Sequence, residues 1–313
     1  MKTLFEAKTL LEITEVNAAL HAPRPYVTRC EEIYSRRVAE VADHLLARGC
    51  KVILLSGPSA SGKTTSALRI AAELGRRGRH GTVVSLDNFF RNVGEYPRTP
   101  QGLPDFEHLQ ALDIELIHDS LEKLIITGKC EMPTYDFVRQ HRAEEVLRVE
   151  AGGDEIVLVE GIHALNPLLT QSIPGDGMLR VYIGLRTEYS ENGRRVLATR
   201  DLRIVRRLVR DHYFRGHSVR NTLELWRRLR QGEEQWIKPF KSTADWLLDS
   251  SFDYEPALFA PFLAALCADP EEGGEFRDIL LGLAARFGRF TALEPALVPH
   301  DSMLREFVGG LEL

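Results

Sequence analysis

Residues 51 to 70 read KVILLSGPSASGKTTSALRI: an apolar run, a turn bounded by glycines, then apolar residues at helical spacing. Lys51 to Ser56 has the length and composition of a short buried strand, and Ala67, Ile70, Ala71 and Leu74 fall on one face of a helix. Between them, Gly57-Pro58-Ser59-Ala60-Ser61-Gly62-Lys63-Thr64-Thr65 has the form of a phosphate-binding loop in the strand-loop-helix context that such a loop requires. Glycines let successive backbone N–H groups turn inward, the helix aims the positive end of its dipole at the anion, and Lys63 adds a full charge. Thr64 offers its hydroxyl to Mg²⁺. An ordinary glycine-rich turn does not need this spacing, so the chain is expected to bind a nucleoside triphosphate.

With 313 residues, 44% of them hydrophobic, the chain can bury one large α/β core and carry an appendage. Its formal charge of −5 argues against a general polyanion binder. Cys30, Cys50, Cys130 and Cys267 are widely spaced and form no CxxC pair, which suggests neither a disulfide framework nor a zinc site and fits a reducing cytoplasm. The first residues, MKTLFEAKTLLEITEVNAAL, mix acids with apolar residues and do not read as a secretory signal. No stretch has the length of a membrane span, so no membrane partner is expected. An oligomer is compatible with the sequence and is not specified by it.

Apolar runs recur at Thr82–Leu86, Ile156–Val159, Leu179–Ile183 and Trp246–Leu248, with helical patterns over Glu31–Arg48, Phe106–Ile126 and Tyr189–Phe214. This alternation predicts a mostly parallel sheet covered by helices on both faces, with ligands gathered at the carboxyl ends of the strands. Residues 131–150 read as a small ribbon inserted on the ligand face. The expected organisation is a lead-in over 1–30, a nucleotide-binding domain over 31–253 and a helical C-terminal extension over 254–313.

Asp87 follows the second apolar run, where a carboxylate can accept the proton of a hydroxyl held in line with a terminal phosphate. Taken alone, it fits a turn or helix cap as well. Glu160 follows Ile156–Val159, where an acid can hold Mg²⁺ or its waters; His163, just beyond, fits a polar residue satisfied by nearby backbone. Between Arg194 and Arg230 lie twelve arginines against three acids. Arg203, Arg206, Arg207 and Arg210 recur at helical spacing, and Arg215-Gly216-His217 follows where that helix should break. A nucleic-acid surface and a lid folded over a triphosphate both use arginine; the phosphate loop favours the lid and makes nucleic acid the weaker partner.

These pieces resemble the uridine kinase and phosphoribulokinase group of P-loop kinases, most closely the bacterial uridine kinase-like nucleoside kinases. The resemblance runs from about Tyr34 to Ser251 through GPSASGKTT, SLDNFF, MPTYDF, LVEGIHALNP, RRLVRDHYFRGHS and IKPFKSTAD, and SMLREFVGG near the C-terminus is similar to the ending of those chains. Longer members carry an N-terminal module resembling part of threonyl-tRNA synthetase, which is expected to be missing here. The implied fold is a P-loop NTPase of the α/β class, a doubly wound parallel sheet with a helical lid and a helical C-terminal extension. The resemblance implies Asp87 as base, Lys63 and Thr64 on phosphate and Mg²⁺, Glu160 as metal support, and Arg207, Arg210 and Arg215 in the lid.

The acceptor side departs from the group. Uridine-cytidine kinases have Tyr where this chain has Phe90, an Asp for the ribose hydroxyls near Gln110, a His where Gln140 aligns, an Arg at His217 and a Gln near Leu225. A buried polar group left without its partner costs about 1–3 kcal/mol, so such a pocket should not hold uridine in the usual way. Phe90, Gln110, Tyr135, Phe137, Arg142 and His217 are the acceptor-side candidates. Tyr135 and Phe137 fit either a stacking platform or the core of the ribbon. The expected activity is ATP-dependent phosphoryl transfer, with Mg²⁺, to a hydroxyl of a small molecule, with a nucleoside leading. A sugar, polyol or vitamin precursor is the alternative acceptor, and a nucleotide-dependent regulatory or RNA-associated protein the alternative class.

Overall fold

Alternate residues of one five-residue run face two different cores: Ile53 and Leu55 point to one side, Val52 and Leu54 to the other. A strand buried on both faces belongs in the middle of a parallel sheet. The computed structural model describes residues 8–99, 102–137, 139–151, 155–171 and 177–311. Its strands are β1 Thr9–Glu12, β2 Val52–Ser56, β3 Gly81–Ser85, β4 Lys129–Asp136, β5 His141–Glu150, β6 Ile156–Glu160, β7 Met178–Gly184, β8 Thr187–Glu191, β9 Arg194–Leu197 and β10 Trp246–Asp249. The helices are α1 Ile13–Ala19, α2 Pro23–Ala47, α3 Lys63–Arg76, α4 Ile114–Thr127, α5 Pro167–Thr170, α6 Thr199–Arg215, α7 Val219–Gly232, α8 Glu255–Ala268, α9 Arg277–Phe287 and α10 Arg305–Val308.

Strands β10, β7, β2, β6 and β3 lie side by side in that order, all parallel. The chain leaves β2 toward β3, inserts β6 between them, then crosses to place β7 on the other flank of β2. That reversal puts the carboxyl end of β2 at the switch point, where open parallel sheets bind ligands. On one face α2, α3, α6 and α8 share a core that also takes in Ile13 and Val16 near the N-terminus and Phe287 and Phe307 near the C-terminus. Helix α4 and the β4–β5 ribbon build the core of the other face.

Three helical expectations change. Helix α2 starts at Pro23 rather than near Glu31, because Pro23 and Pro25 fall in its first turn, where missing N–H groups cost nothing. Helix α4 starts at Ile114 rather than Phe106. His108 accepts from Gln110 N and Asp113 from Leu116 N, so a short turn precedes the helix and Asp113 caps it. Tyr189–Phe214 is split: Asn192 and Gly193, both at positive φ, close the β8–β9 hairpin, and α6 begins only at Thr199. An Asn-Gly pair is the strongest short-range hairpin signal. Strand β8 also pairs in parallel with β1, which ties the N-terminal stretch to the chain leaving β7.

Arg206 is turned into the core instead of standing on an exposed arginine stripe. Its guanidinium makes two bonds to Glu255, at 2.6 and 2.7 Å, and one to Ser250 O at 2.8 Å, with the Phe307 ring alongside. Both side chains of the pair are fully enclosed. Arg206→Met would strand a carboxylate in the core and should cost about 3–5 kcal/mol in urea unfolding, whereas adding Glu255→Leu should recover most of that loss. A single-variant loss below about 1 kcal/mol would contradict this account of the pair.

Candidate functional site

The loop after β2 is held by backbone constraints before any ligand arrives. A Cβ at Gly57 would collide with the carbonyl oxygen of Ile183, so only glycine lets the loop leave β2 beside β7. Gly62 caps α3 at a φ of +82°, and Ala60 holds the left-handed region at +58° without being glycine. Lys63 folds back so that Nζ donates to Pro58 O at 3.3 Å. At the tip of the loop, Ser59 is held on three sides: its N–H donates to Glu233, its carbonyl accepts from Arg203, and its hydroxyl accepts from Arg207 at 2.7 Å.

Two acids stand at the carboxyl ends of β6, which flanks β2, and β3, the strand beyond it. Glu160 ends β6, is buried, and accepts hydroxyl protons from Ser85 at 2.5 Å and Thr64 at 3.3 Å. Asp87 sits in the turn Leu86–Phe89 that follows β3. Burial and the nearby charge of Asp87 push Glu160 up to about 7, against the pull of Lys63 and the two hydroxyls. Burial likewise raises Asp87, opposed by the charges of Lys63 and Arg215. Lys63, Thr64, Asp87 and Glu160 thus share one electrostatic centre. Burial pushes the His163 ring down to about 4, so it is neutral near pH 7.

A third acid there, Glu107, was missed in the sequence reading. Burial and the charge of Glu233 raise it to about 8, while Arg207 and Lys63 pull it back and Asp87 adds to the rise. Gly232 at the end of α7 has no room for a side chain because Glu107 occupies that space. Glu107 lies in the irregular stretch before α4, so no periodicity marked it. Gln110, three residues on, is exposed: the short turn over Leu109–Ala111 faces it toward an outer groove lined by Arg91, Glu95, Tyr96 and Leu112.

The structure divides the arginine block by partner. Asp211 on α6 gathers three of them: Arg210 at 3.0 and 3.1 Å, Arg207 at 3.1 Å and Arg215 at 4.0 Å. Arg203 pairs with Glu233, and Arg206 belongs to the core. Arg228 pairs with Glu224 on the same helix, while Arg227 and Arg230 are exposed. The turn between α6 and α7 hinges on Gly216 at a φ of +69°.

On the acceptor side, Phe90 packs among Tyr135, Tyr96 and Phe137 at ring separations of 5.6, 5.9 and 6.4 Å. The hydroxyls of Tyr96 and Tyr135 are bonded at 2.8 Å, so Tyr135 is a buried member of the cluster, whereas Phe137 is its exposed edge. Tyr96 and Phe106, 5.1 Å apart, extend the cluster. Arg142 is bound to Asp113, the cap of α4, at 2.8 Å. His217 stands exposed on the α6–α7 turn, its N–H bonded to Asp211 O. Among the described residues, neither Gln110 nor His217 shares a hydrogen bond or ring contact with the aromatic cluster.

A phosphate loop at the switch point of a parallel sheet, strand-end acids beside its lysine, and arginines folded against its tip define a nucleotide-binding kinase of the P-loop class. Residues 52–253 match the model of the phosphoribulokinase / uridine kinase family, and the chain belongs to that family. The uridine kinase of Borrelia duttonii (strain Ly) is 29% identical over 222 residues, covering 70% of this chain and 97% of that one. The uridine kinase of Bacillus pumilus (strain SAFR-032) is 30% identical over 195 residues, covering 62% and 83%. A solved structure described as a possible uridine kinase from Bacillus stearothermophilus has a TM-score of 0.49 at 17% identity, covering 68% of this chain and 98% of that chain.

Proposed function

We propose that the chain transfers the terminal phosphoryl group of ATP to a hydroxyl of a small molecule, with a nucleoside such as uridine as the leading acceptor. The convergence of Lys63, Thr64, Asp87 and Glu160 on the carboxyl ends of β2, β3 and β6 carries this reading. Lys63 and the loop amides hold the phosphates, and Asp87 takes the acceptor's proton and orients its oxygen. Arg207, Arg210 and Arg215 offset the charge that spreads over the transferring group. Catalysis is mainly positioning and charge stabilisation.

The donor set suits Mg²⁺. Thr64 Oγ1 and Glu160 are hard oxygen donors, and Glu160 is held as high as about 7 by burial and by Asp87, a strain that a divalent cation relieves. Among the described residues no three His, Cys, Asp or Glu side chains cluster as a metal cage. Held by Thr64 and Glu160, Mg²⁺ would offset the negative charge of the outer phosphates.

The acceptor lies between Asp87 and the Phe90–Tyr135–Phe137 cluster in this reading, with Glu107 hydrogen-bonded to a further hydroxyl. The names of the relatives favour a nucleoside; Glu107 and a mostly apolar cluster also suit a sugar or polyol. The four cysteines are free thiols, and no described helix is long and apolar enough to cross a membrane, features that fit a cytoplasmic enzyme. An ADP-release assay with ATP and Mg²⁺ over uridine, cytidine, other nucleosides, sugars and polyols tests the reading. ADP release that depends on one hydroxyl compound is expected, and a wild-type chain that releases ADP with none of them would overturn it.

A further inference from the structure

Residues 254–313 lie beyond the family match, yet their last turn touches the nucleotide loop. Met303, Leu304 and Phe307 are fully buried, and Met303 fills the space a side chain at Gly62 would need. Ser302 donates to buried Glu31 at 2.6 Å, and Arg305 binds the carbonyls of Pro295, Val298 and Pro299. Helix α10 is therefore part of a fixed wall and not a strap that swings clear. From this wall one acid reaches the site. Glu306 Oε2 accepts from Thr65 Oγ1 at 2.6 Å, and Oε1 lies 3.6 Å from Arg210 Nη1. Arg210 is thus held on one edge by Asp211, on the other by Glu306, with the Phe307 ring 6.0 Å away.

We propose that Glu306 is a positioning residue for phosphoryl transfer, keeping the Arg210 guanidinium in register with the first turn of α3 through Thr65. The proposal rests on the kinase reading above. An arginine side chain has about 2 kcal/mol of rotamer freedom, and an acid on each edge fixes the plane of the fork before the nucleotide arrives. Glu306 is four-fifths enclosed and anchored to a rigid turn, so it can set that plane without moving. A carboxylate this close to Thr65 should not tighten ATP binding; its benefit falls on the transfer step, when charge is redistributed.

The test uses the full chain, ATP, Mg²⁺ and the hydroxyl compound giving the highest wild-type ADP-release rate. Glu306→Gln keeps the shape and the Thr65 contact and removes the charge facing Arg210. It should lower kcat about tenfold with the KM for ATP within about twofold, and Glu306→Asp should recover part of the loss. In an Arg210→Lys background, Glu306→Gln should add little, because the two act as a unit. Thermal melting should move little in Glu306→Gln, which separates positioning from a general structural role. An unchanged kcat, tighter ATP binding at unchanged kcat, or a full tenfold loss in the Arg210→Lys background would overturn the proposal. These outcomes leave the kinase reading standing; absence of acceptor-dependent ADP release in the wild type would overturn both.

Discussion

Lys63→Ala abolishes acceptor-dependent ADP release, by about 10³-fold or more, while the chain stays folded. The side chain lies across its own loop, with a single bond to Pro58 O and no place in either core, so removing it takes away little packing. What it removes is charge. Lys63 is the cation that opposes the raised pKa of both Asp87 and Glu160, and its ammonium is the one full positive charge built into the loop. Without it a triphosphate would meet two acids with no cation between them. The protonated fractions of those acids would rise too, weakening the base as well as the phosphate site. Thermal melting should therefore stay close to wild type while turnover at saturating ATP disappears. Near wild-type turnover in a folded Lys63→Ala protein would sink the kinase assignment.

The loop was legible because its chemistry is local. Spacing within one stretch fixes the turn, the helix N-terminus and the lysine together, and Asp87 and Glu160 follow because apolar runs in a parallel sheet say where strands end. Partners far apart in sequence were not legible. Arg206 has the same helical spacing as Arg203 and Arg210, and only Glu255, 49 residues on, explains why it can be buried. Glu107 lies in irregular chain and reaches the site through a close approach to Gly232. Glu306 faces Thr65 across 241 positions. By contrast, Asn192-Gly193 is a local turn signal set between residues at helical spacing, and it closes the β8–β9 hairpin. The acceptor side is legible only as a class of surface: Phe90, Tyr135 and Phe137 do come together, while Gln110 lines the outer groove that Tyr96 shares and His217 stands exposed on the α6–α7 turn.

Asp87→Asn separates the base from the metal support. Asparagine keeps the size of the side chain and its place after β3 but cannot accept a proton, so turnover should fall by about 10²–10⁴-fold. ATP affinity should hold or improve, because the variant removes a negative charge near the phosphate loop. The pH profile supplies the sign. Burial raises the Asp87 pKa above the ordinary 3.8, and a base works only when deprotonated, so the wild-type rate should climb as pH rises through a limb above that value. Glu160, held up to about 7 partly by the charge of Asp87, titrates in the same field, so the limb belongs to the pair and not to either acid alone. Taking the charge off position 87 should let Glu160 fall back toward 4.5, and the residual activity of Asp87→Asn should lose most of the acid limb. Glu160→Gln should instead keep the base and raise the Mg²⁺ concentration needed for half-maximal rate. Should Asp87→Asn bind ATP poorly and turn over normally at saturation, the two acids have exchanged roles: Asp87 would serve the nucleotide and its metal, leaving Glu160 to take the proton.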